Sequence, residues 1–324
     1  MACYVIVLNY KGWKDTIECL DSIFQSKDAD YKVIVCDNGS DNDSLYYIEN
    51  WAKGKLSVQD INKNTLLKNH LPSRPEYLLW NQPKYESYDA PLLLVDNKKN
   101  KGFAAGNNVG IKIAMTQEDC ESLFILNNDT VILADTIKNG VDQLKKYSNT
   151  GVCSTNVKYY NEPSKSAWMP SFYLPIIGTE VGHKPRFIKN FLPKYTGMSF
   201  FVTHEFIQNV GLMEERYFLY YEEFDWSYKM KDKFSMTIAK DSIVYHKEGQ
   251  SSSYCSPLSL FCMIRSNILF SRWYYPQFFL IVYCIWWMRF LKRVVTGKWD
   301  EGKIILKFLI FFLIQGEDYH GGFF

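Results

Sequence analysis

The chain has no C-x-x-C pair, no internal repeat, no low-complexity tract and almost no imbalance of charge, with 37 Lys and Arg against 35 Asp and Glu. Each absence narrows the field. The eight cysteines, at 3, 19, 36, 120, 153, 255, 262 and 284, are scattered. That spacing excludes a zinc-site pattern and a small disulfide scaffold. Most are expected to be buried thiols in a reducing compartment. A net charge of +2 lacks the basic footprint of a nucleic-acid binder, so no nucleic-acid partner is expected. No secretory leader is legible: the apolar piece 3–8 is too short for an h-region, and Asn9, Lys11 and Lys14 follow at once. The chain is therefore expected to stay in the cytoplasm. Neither the G-x-G-x-x-G pattern nor the G-x-x-x-x-G-K-[ST] loop is matched by the small-residue segment 100–108, which argues against a dehydrogenase or a P-loop enzyme.

What remains is a globular composition, 47% hydrophobic and 22% charged over 324 residues, enough for one large domain or two small ones. Tyr4-Val5-Ile6-Val7-Leu8 reads as a first buried strand. Residues 15–24 follow with helical spacing of Ile17, Leu20, Ile23 and Phe24, and Asp15 as their N-cap. Further strands are expected at 32–36, 92–95 and 123–126, with a helix over 107–115 between the last two. Strand-like pieces recur at 197–202 and 236–239, and a helix at 222–230. Strands alternating with helices imply an α/β fold, a doubly wound and mostly parallel sheet with helices on both faces. Residues 53–91 are polar and carry Pro72, Pro75, Pro83 and Pro91; they read as an inserted excursion rather than a core layer.

Open sheets of this kind place ligands beyond the carboxyl ends of their strands. Asp37-Asn38-Gly39-Ser40 follows the second strand and suits either a turn or a carboxylate reaching a ribose or pyrimidine. Asn100-Lys101-Gly102-Phe103-Ala104-Ala105-Gly106-Asn107-Asn108 lets a backbone approach a ligand closely and opens a helix, whose N-terminus favours anions. Asn127-Asn128-Asp129 ends a buried strand with oxygen-bearing side chains, either a polar turn or a seat for a hard cation beside a phosphate. Tyr220-Tyr221-Glu222-Glu223-Phe224-Asp225-Trp226 gathers three carboxylates. This is either an acidic first helical turn or a general base whose neighbours lift its pKa. His246 is a structural histidine or a further metal ligand.

Aromatic residues make up 17% of the chain, and many fall after Tyr254. Two apolar runs, 279–290 and 304–314, are interrupted by Arg289 and Lys307 and flanked by Lys292, Arg293 and Lys298. Each is shorter than the roughly 20 residues a spanning helix needs. Helices lying in a membrane interface are expected, with buried core helices as the alternative.

Taken in order, the segments at 5–10, 35–40, 100–108, 126–129 and 217–225 resemble a family 2 glycosyltransferase of the GT-A fold, in particular the rhamnosyltransferase-like branch that builds bacterial surface polysaccharides. The likeness runs from residue 1 to about 275, omitting 53–91. It implies a nucleotide-sugar-binding half over 1–135 and an acceptor and catalytic half over 136–255, while the aromatic, basic-flanked C-terminus is expected to supply membrane-associating helices over 256–324. The likeness implies that Asn9, Asp37, Gly102, Asn107, Asn127 and Asn128 hold the nucleotide-sugar. Asp129, Asn127 and His246 would hold a divalent metal, Mg or Mn. Glu223 would be the catalytic base, supported by Glu222 and Asp225. Asn127 departs from the family's usual first Asp, and Glu223 stands where Asp is commoner. The expected donor is dTDP-rhamnose or a UDP-sugar, and the expected acceptor is a polyprenyl-diphosphate-linked glycan at the inner face of the cytoplasmic membrane, as in O-antigen or capsule synthesis. No motif reads the hexose, so galactofuranose, galactose or glucose transfer stays open, as does a catalytically inactive nucleotide-sugar-binding subunit. A nucleotidyltransferase would show a basic, Gly-rich loop after the first strand, which Asn9-Tyr10-Lys11-Gly12-Trp13-Lys14 is not.

Overall fold

A computed structural model of the chain describes residues 1–62, 65–67, 75–182, 192–247 and 256–318. Its contacts divide the chain into two units. The first comprises Met1–Met169, Tyr195–Met213 and Met230–Ser251; the second comprises Pro170–Lys194, Glu214–Lys229 and Ser252–Phe324.

The first unit is built on a nine-stranded sheet. Its elements run β1 (Ala2–Asn9), α1 (Trp13–Ile23), β2 (Tyr31–Asp37), α2 (Ser44–Ala52), α3 (Val58–Ile61), β3 (Tyr77–Trp80), β4 (Leu92–Asp96), α4 (Phe103–Met115), β5 (Cys120–Asn127), β6 (Thr130–Ile132), α5 (Thr136–Lys145) and β7 (Thr150–Tyr159). In the second unit follow β8 (Ser171–Leu174), β9 (Thr179–Val181) and β10 (Leu192–Lys194). The chain then contributes β11 (Ser199–Thr203) and α6 (His204–Val210) to the first unit, α7 (Glu222–Met230), and β12 (Ser235–His246). The helices α8 (Pro257–Tyr274), α9 (Phe279–Val295) and α10 (Trp299–Gln315) end the described chain.

Across the large sheet the order is β3-β4-β2-β1-β5-β11-β7-β12-β6. The strands from β3 to β5 are parallel, β7 and β12 pair parallel, and β11 and β6 run against their neighbours. This is the expected α/β class with a mostly parallel sheet. The central strands are apolar throughout because both faces are covered: Val5, Ile6, Val33, Ile34, Leu93, Leu94, Phe124 and Ile125 are all buried. On one face, α4 comes unusually close. A Cβ at Gly110 would lie 2.7 Å from Ile6 Cγ2, and one at Gly106 would lie 2.5 Å from Leu8 Cδ1. Two glycines four apart therefore set the depth at which α4 settles on β1 and β2.

Four sequence expectations need amendment. Asp15 does not cap α1; Gly12 occupies that position without a side-chain cap, and Asp15 lies in the first turn with its carboxylate bonded to Lys247. Helix α4 starts at Phe103, not 107. The stretch 53–91 is not wholly outside the core layer, since β3 joins the sheet edge parallel to β4 and buries Trp80. Residues 150–159, which carried no clear signal, form β7. The described cysteines are buried thiols except Cys284, which is exposed; Cys255 lies outside the described residues. Burial pushes the Cys36 thiol up to about 12, so it is inert at neutral pH.

In the second unit, β10, β8 and β9 form a three-stranded antiparallel sheet. Its core is aromatic, with Tyr173, Tyr217, Phe224 and Phe270 buried beside Phe261, Phe308 and Trp286. Helices α9 and α10 are each 17 residues long. Among the described residues no helix is long and apolar enough to cross a membrane.

Candidate functional site

The pairing pattern brings the carboxyl ends of β1, β2, β4, β5, β7 and β12 to one edge of the large sheet. Three of the expected segments and His246 lie along that edge. The first forms a buried network. Asn9 donates from Nδ2 to Asp37 Oδ1 at 2.5 Å, and Thr16 donates to Asn9 Oδ1 at 2.8 Å. Asp37 also accepts from the Ser40 hydroxyl at 2.7 Å and the Ser40 amide at 2.9 Å. Asn128 donates to Thr16 Oγ1 at 2.9 Å and to the Gly12 carbonyl at 3.3 Å. Asn9, Asp37 and Asn128 thus bolt three strand ends together. With three hydrogen bonds on its carboxylate, Asp37 keeps limited acceptor capacity for a ligand.

The second segment opens α4. Gly102 has φ 94°, a region that favours glycine. Its amide donates to Asn100 Oδ1 at 2.9 Å, and its carbonyl accepts from Asn38 Nδ2 at 3.1 Å. Asn107 donates to the Phe103 carbonyl at 3.0 Å, while its Oδ1 is buried without a hydrogen-bond partner among the described residues. Asn108 is a staple: its amide group donates to the Met213 carbonyl and accepts from the Met213 amide.

The third segment meets His246. Pairing of β6 with β12 places Thr130 opposite His246, and Asp129 Oδ1 lies 3.3 Å from His246 Nε2. Lys247 N donates to the Asp129 carbonyl at 2.9 Å. Asn127 is the last residue of β5, half-buried, with its amide donating to the Met198 carbonyl at 2.8 Å. Among the described residues no three His, Cys, Asp or Glu side chains gather as a metal cluster. Yet the pair fits a divalent ion that draws its other donors from a diphosphate and water: a carboxylate and an imidazole suit Mn²⁺ better than Mg²⁺. His246 Nδ1 is also buried without a hydrogen-bond partner among the described residues.

Behind this pair lies an ion cluster that sequence reasoning missed. Lys247 Nζ donates to Asp15 at 2.7 Å and Glu18 at 2.6 Å. Glu18 is 1% exposed and further accepts from Tyr160 Oη at 2.5 Å, Asn62 Nδ2 at 3.0 Å and the Thr65 hydroxyl. Burial pushes the Glu18 carboxyl up, but the Lys247 charge and these hydrogen bonds outweigh it and hold the group below the usual range. No local signal pointed to it, because the partners are distant in sequence.

The fourth segment belongs to the second unit. Phe218, Tyr220 and Tyr221 precede α7 with φ 65°, 69° and 78°, a costly run for non-glycine residues. Helix α8 holds it in place. Ser266 donates to the Leu219 carbonyl at 3.0 Å, Asn267 donates to Tyr221 Oη at 2.5 Å, the Tyr220 and Ser259 hydroxyls pair at 2.8 Å, and Arg265 donates to the Arg216 carbonyl. The signal for this was present: Arg265-Ser266-Asn267 stand together inside an otherwise apolar stretch.

The three carboxylates of α7 then divide. Asp225 is buried, paired with Lys229 at 2.6 Å, and accepts from Tyr274 Oη at 2.5 Å. Its carboxyl is raised by burial, which outweighs the pull of Lys229. Glu222 is 2% exposed, and burial followed by the charge of Glu223 pushes its carboxyl well above the usual range. Glu223 is half-buried, the most open of the three carboxylates. Because folded Glu222 holds its proton more tightly than the unfolded chain does, stability is full below about the ordinary value of 4.5 and declines as pH rises above it. Glu222→Gln is expected to unfold about 2–4 °C higher than the parent at pH 8. The gap should close at pH 4, and thermal melts at the two pH values check this.

Residues 82–216 match the family model described as Glycosyl transferase family 2, a span that includes Gly102, Asn107 and Asn127 to Asp129. The chain is 25% identical over 145 residues to the low-salt glycan biosynthesis hexosyltransferase Agl10 of Haloferax volcanii, covering 42% of this chain and 45% of that protein. It therefore spans less than half the length of that curated relative. In fold it is similar to the mannosyltransferase PcManGT of Pyrobaculum calidifontis, solved with GDP-Man and Mn²⁺ (TM-score 0.51, 12% identity, 97% of this chain and 81% of that one). It is similar also to GalNAc-T7, solved with UDP, GalNAc and Mn²⁺ (TM-score 0.56, 14% identity, 82% of this chain and 47% of that one). The fold is that of GT-A enzymes.

Proposed function

We propose that this protein is an inverting glycosyltransferase that moves a hexose from a nucleotide-sugar to a hydroxyl of a lipid-linked glycan. The observation that carries the reading is the Asp129–His246 pair at the carboxyl edge of the sheet, with Asp129 inside the span matched by the family 2 model. Asn9, Asp37, Asn128 and the Gly102–Asn107 turn frame the nucleotide, with Asp37 toward its base or ribose and Asn107 toward its diphosphate. Asp129 and His246, with Asn127 beside them, hold the metal. When bound, a divalent ion there neutralises charge on the departing nucleoside diphosphate. Glu223 takes the proton from the acceptor hydroxyl as its oxygen bonds to the anomeric carbon and the bond to the diphosphate breaks on the opposite face. Burial favours the neutral form of Glu222 beside it, and Asp225 fixes α7 through Lys229 and Tyr274.

Rhamnose from dTDP-rhamnose is the first candidate, in synthesis of an O-antigen or capsule-type polysaccharide. A UDP-hexose is the second, favoured by the hexosyltransferase relative. A hydrolysis and binding screen of dTDP-rhamnose with the common UDP- and GDP-sugars decides. We expect slow cleavage of one donor with Mn²⁺ and none with EDTA. Absence of binding to every donor overturns the proposal.

The acceptor is a polyprenyl-diphosphate-linked glycan, met by a chain lying peripherally on the inner face of the cytoplasmic membrane. Support comes from α9 and α10. On α9 the residues Ile281, Cys284, Met288, Leu291 and Val295 are exposed at helical spacing, with Leu291 57% and Val295 85% exposed. Opposite them Val282, Tyr283 and Trp286 are buried. On α10 Ile310, Leu313 and Ile314 are exposed, and Lys292, Lys298, Lys303 and Lys307 on and between the two helices are exposed as well. A stripe of this composition suits an anionic bilayer surface. Leu291→Glu with Val295→Glu is expected to lower cosedimentation with anionic vesicles by at least about tenfold. Unchanged sedimentation places the contact elsewhere.

A further inference from the structure

We propose that the cavity at the start of α1 is a subsite for a neutral sugar unit of the acceptor glycan. It encloses about 580 Å³ and lies wholly within the first unit. That volume falls within the roughly 300–1,000 Å³ of small-molecule sites. None of the residues that line it takes part in the chemistry proposed above.

Its electrostatics select the ligand class. The deepest charges are already closed on one another, Lys247 with Asp15 and Glu18. Lys11 is paired with Asp41 at 2.7 Å, and the exposed Lys14, which also lines the cavity, lies against the Trp13 ring. An anion would meet the two buried carboxylates, and a cation would meet Lys247. A neutral ligand rich in hydroxyls meets neither penalty. It also finds matching groups: the rings of Trp13 and Tyr160 line the cavity, with Lys14 Nζ and Lys247 Nζ 5.4 and 5.3 Å from their centroids, while Asn62 and Asn161 supply amide groups. Trp13 is held rigid by stacking on Tyr47 at 4.1 Å, so little ordering cost remains at binding. Rings beside amides and carboxylates suit a hexose, whose CH face is apolar and whose hydroxyls both donate and accept.

Position links the cavity to the reaction. A second cavity of about 450 Å³ is lined by His246 and shares Tyr160 and Asn161 with the first. A glycan chain seated in the first thus has its neighbouring residue directed past this common wall toward His246. The assignment to acceptor rather than to any other glycan rests on the glycosyltransferase reading; the sugar chemistry of the cavity does not.

The test is a saturation-transfer NMR titration of the full chain with the methyl glycosides of rhamnose, mannose, galactose and glucose, repeated with inorganic pyrophosphate and with UDP. We expect saturable binding of at least one glycoside, weakened about tenfold or more by Asn161→Ala and by Trp13→Ala. It should be unaffected by pyrophosphate, by UDP and by Asp129→Asn. Asn161 is exposed, so its replacement leaves the fold intact and decides the matter even where Trp13→Ala disturbs α1. Binding of no glycoside, binding that survives both replacements, or displacement by pyrophosphate overturns the subsite. Binding is read without turnover: a chain that binds glycosides but cleaves no nucleotide-sugar keeps the subsite and loses the transferase reading.

Discussion

Glu223→Gln is expected to lower sugar transfer by about 10²–10⁴-fold, the range associated with removing a general base, while nucleotide binding stays within about twofold of the parent. The three carboxylates of α7 are not equivalent. Asp225 spends its charge on Lys229 and Tyr274, and Glu222 is buried, which pushes its carboxyl well above the usual range. Glu223 alone is half-buried and without either commitment. The amide of Gln keeps the size and the acceptor oxygen of Glu but cannot take a proton. The effect should therefore fall on turnover rather than on donor affinity. Single-turnover kinetics with the donor found by the screen, alongside calorimetric titration of the nucleotide, separates the two. Full turnover in the variant removes Glu223 from the role.

Lys247→Met is expected to cost about 3–5 kcal/mol of stability, the penalty of leaving buried carboxylates without their counter-charge. Lys247 is 9% exposed, and Glu18 is deeper still. The methionine fills similar volume, so the loss reports charge rather than a cavity. Adding Glu18→Gln should recover part of it, because the double replacement removes an ion that the single one strands. The pH profile has a definite sign. Glu18 is held below the ordinary carboxylate range, so the contribution is present at neutral pH and is lost as pH falls through that depressed value. Urea unfolding at pH 7 for the parent, single and double variants measures all three terms. An unchanged midpoint in Lys247→Met removes the cluster from the stability account.

The parts of this molecule that were legible in sequence are those whose physics is local or uniformly apolar. Strands β1, β2, β4 and β5 read clearly because both faces are covered and every position can be apolar. Strand β7 did not: Ser154 and Thr155 are fully buried in it, and the hydroxyl of Thr155 is satisfied by Ser199 on β11, a neighbour no window along the chain can see. Strand β3 hid in polar surroundings because it is an edge strand with Leu78 and Leu79 partly exposed. Helix α8 was masked by Arg265, Ser266 and Asn267, whose role is to hold the strained turn before α7. At the candidate site the residue types at the strand ends were readable one by one. Their division of labour was read only in part: the resemblance set Asp129 with His246, which lie 3.3 Å apart, but gave no sign that Asn9 and Asn128 brace the strand ends through Asp37 and Thr16.

That last kind of separation has a consequence for how the protein comes into being. Glu18 and Lys247 are 229 residues apart in the chain. At ribosomal speeds of about 5–20 residues per second, helix α1 waits on the order of 10–45 s for the lysine that neutralises it. During that interval an acidic helix has no reason to bury its charged face, and β12 has not arrived to complete the sheet edge. Prematurely terminated chains therefore lack both the counter-charge and the histidine. The charge pairing of α1 thus waits until most of the chain has been made.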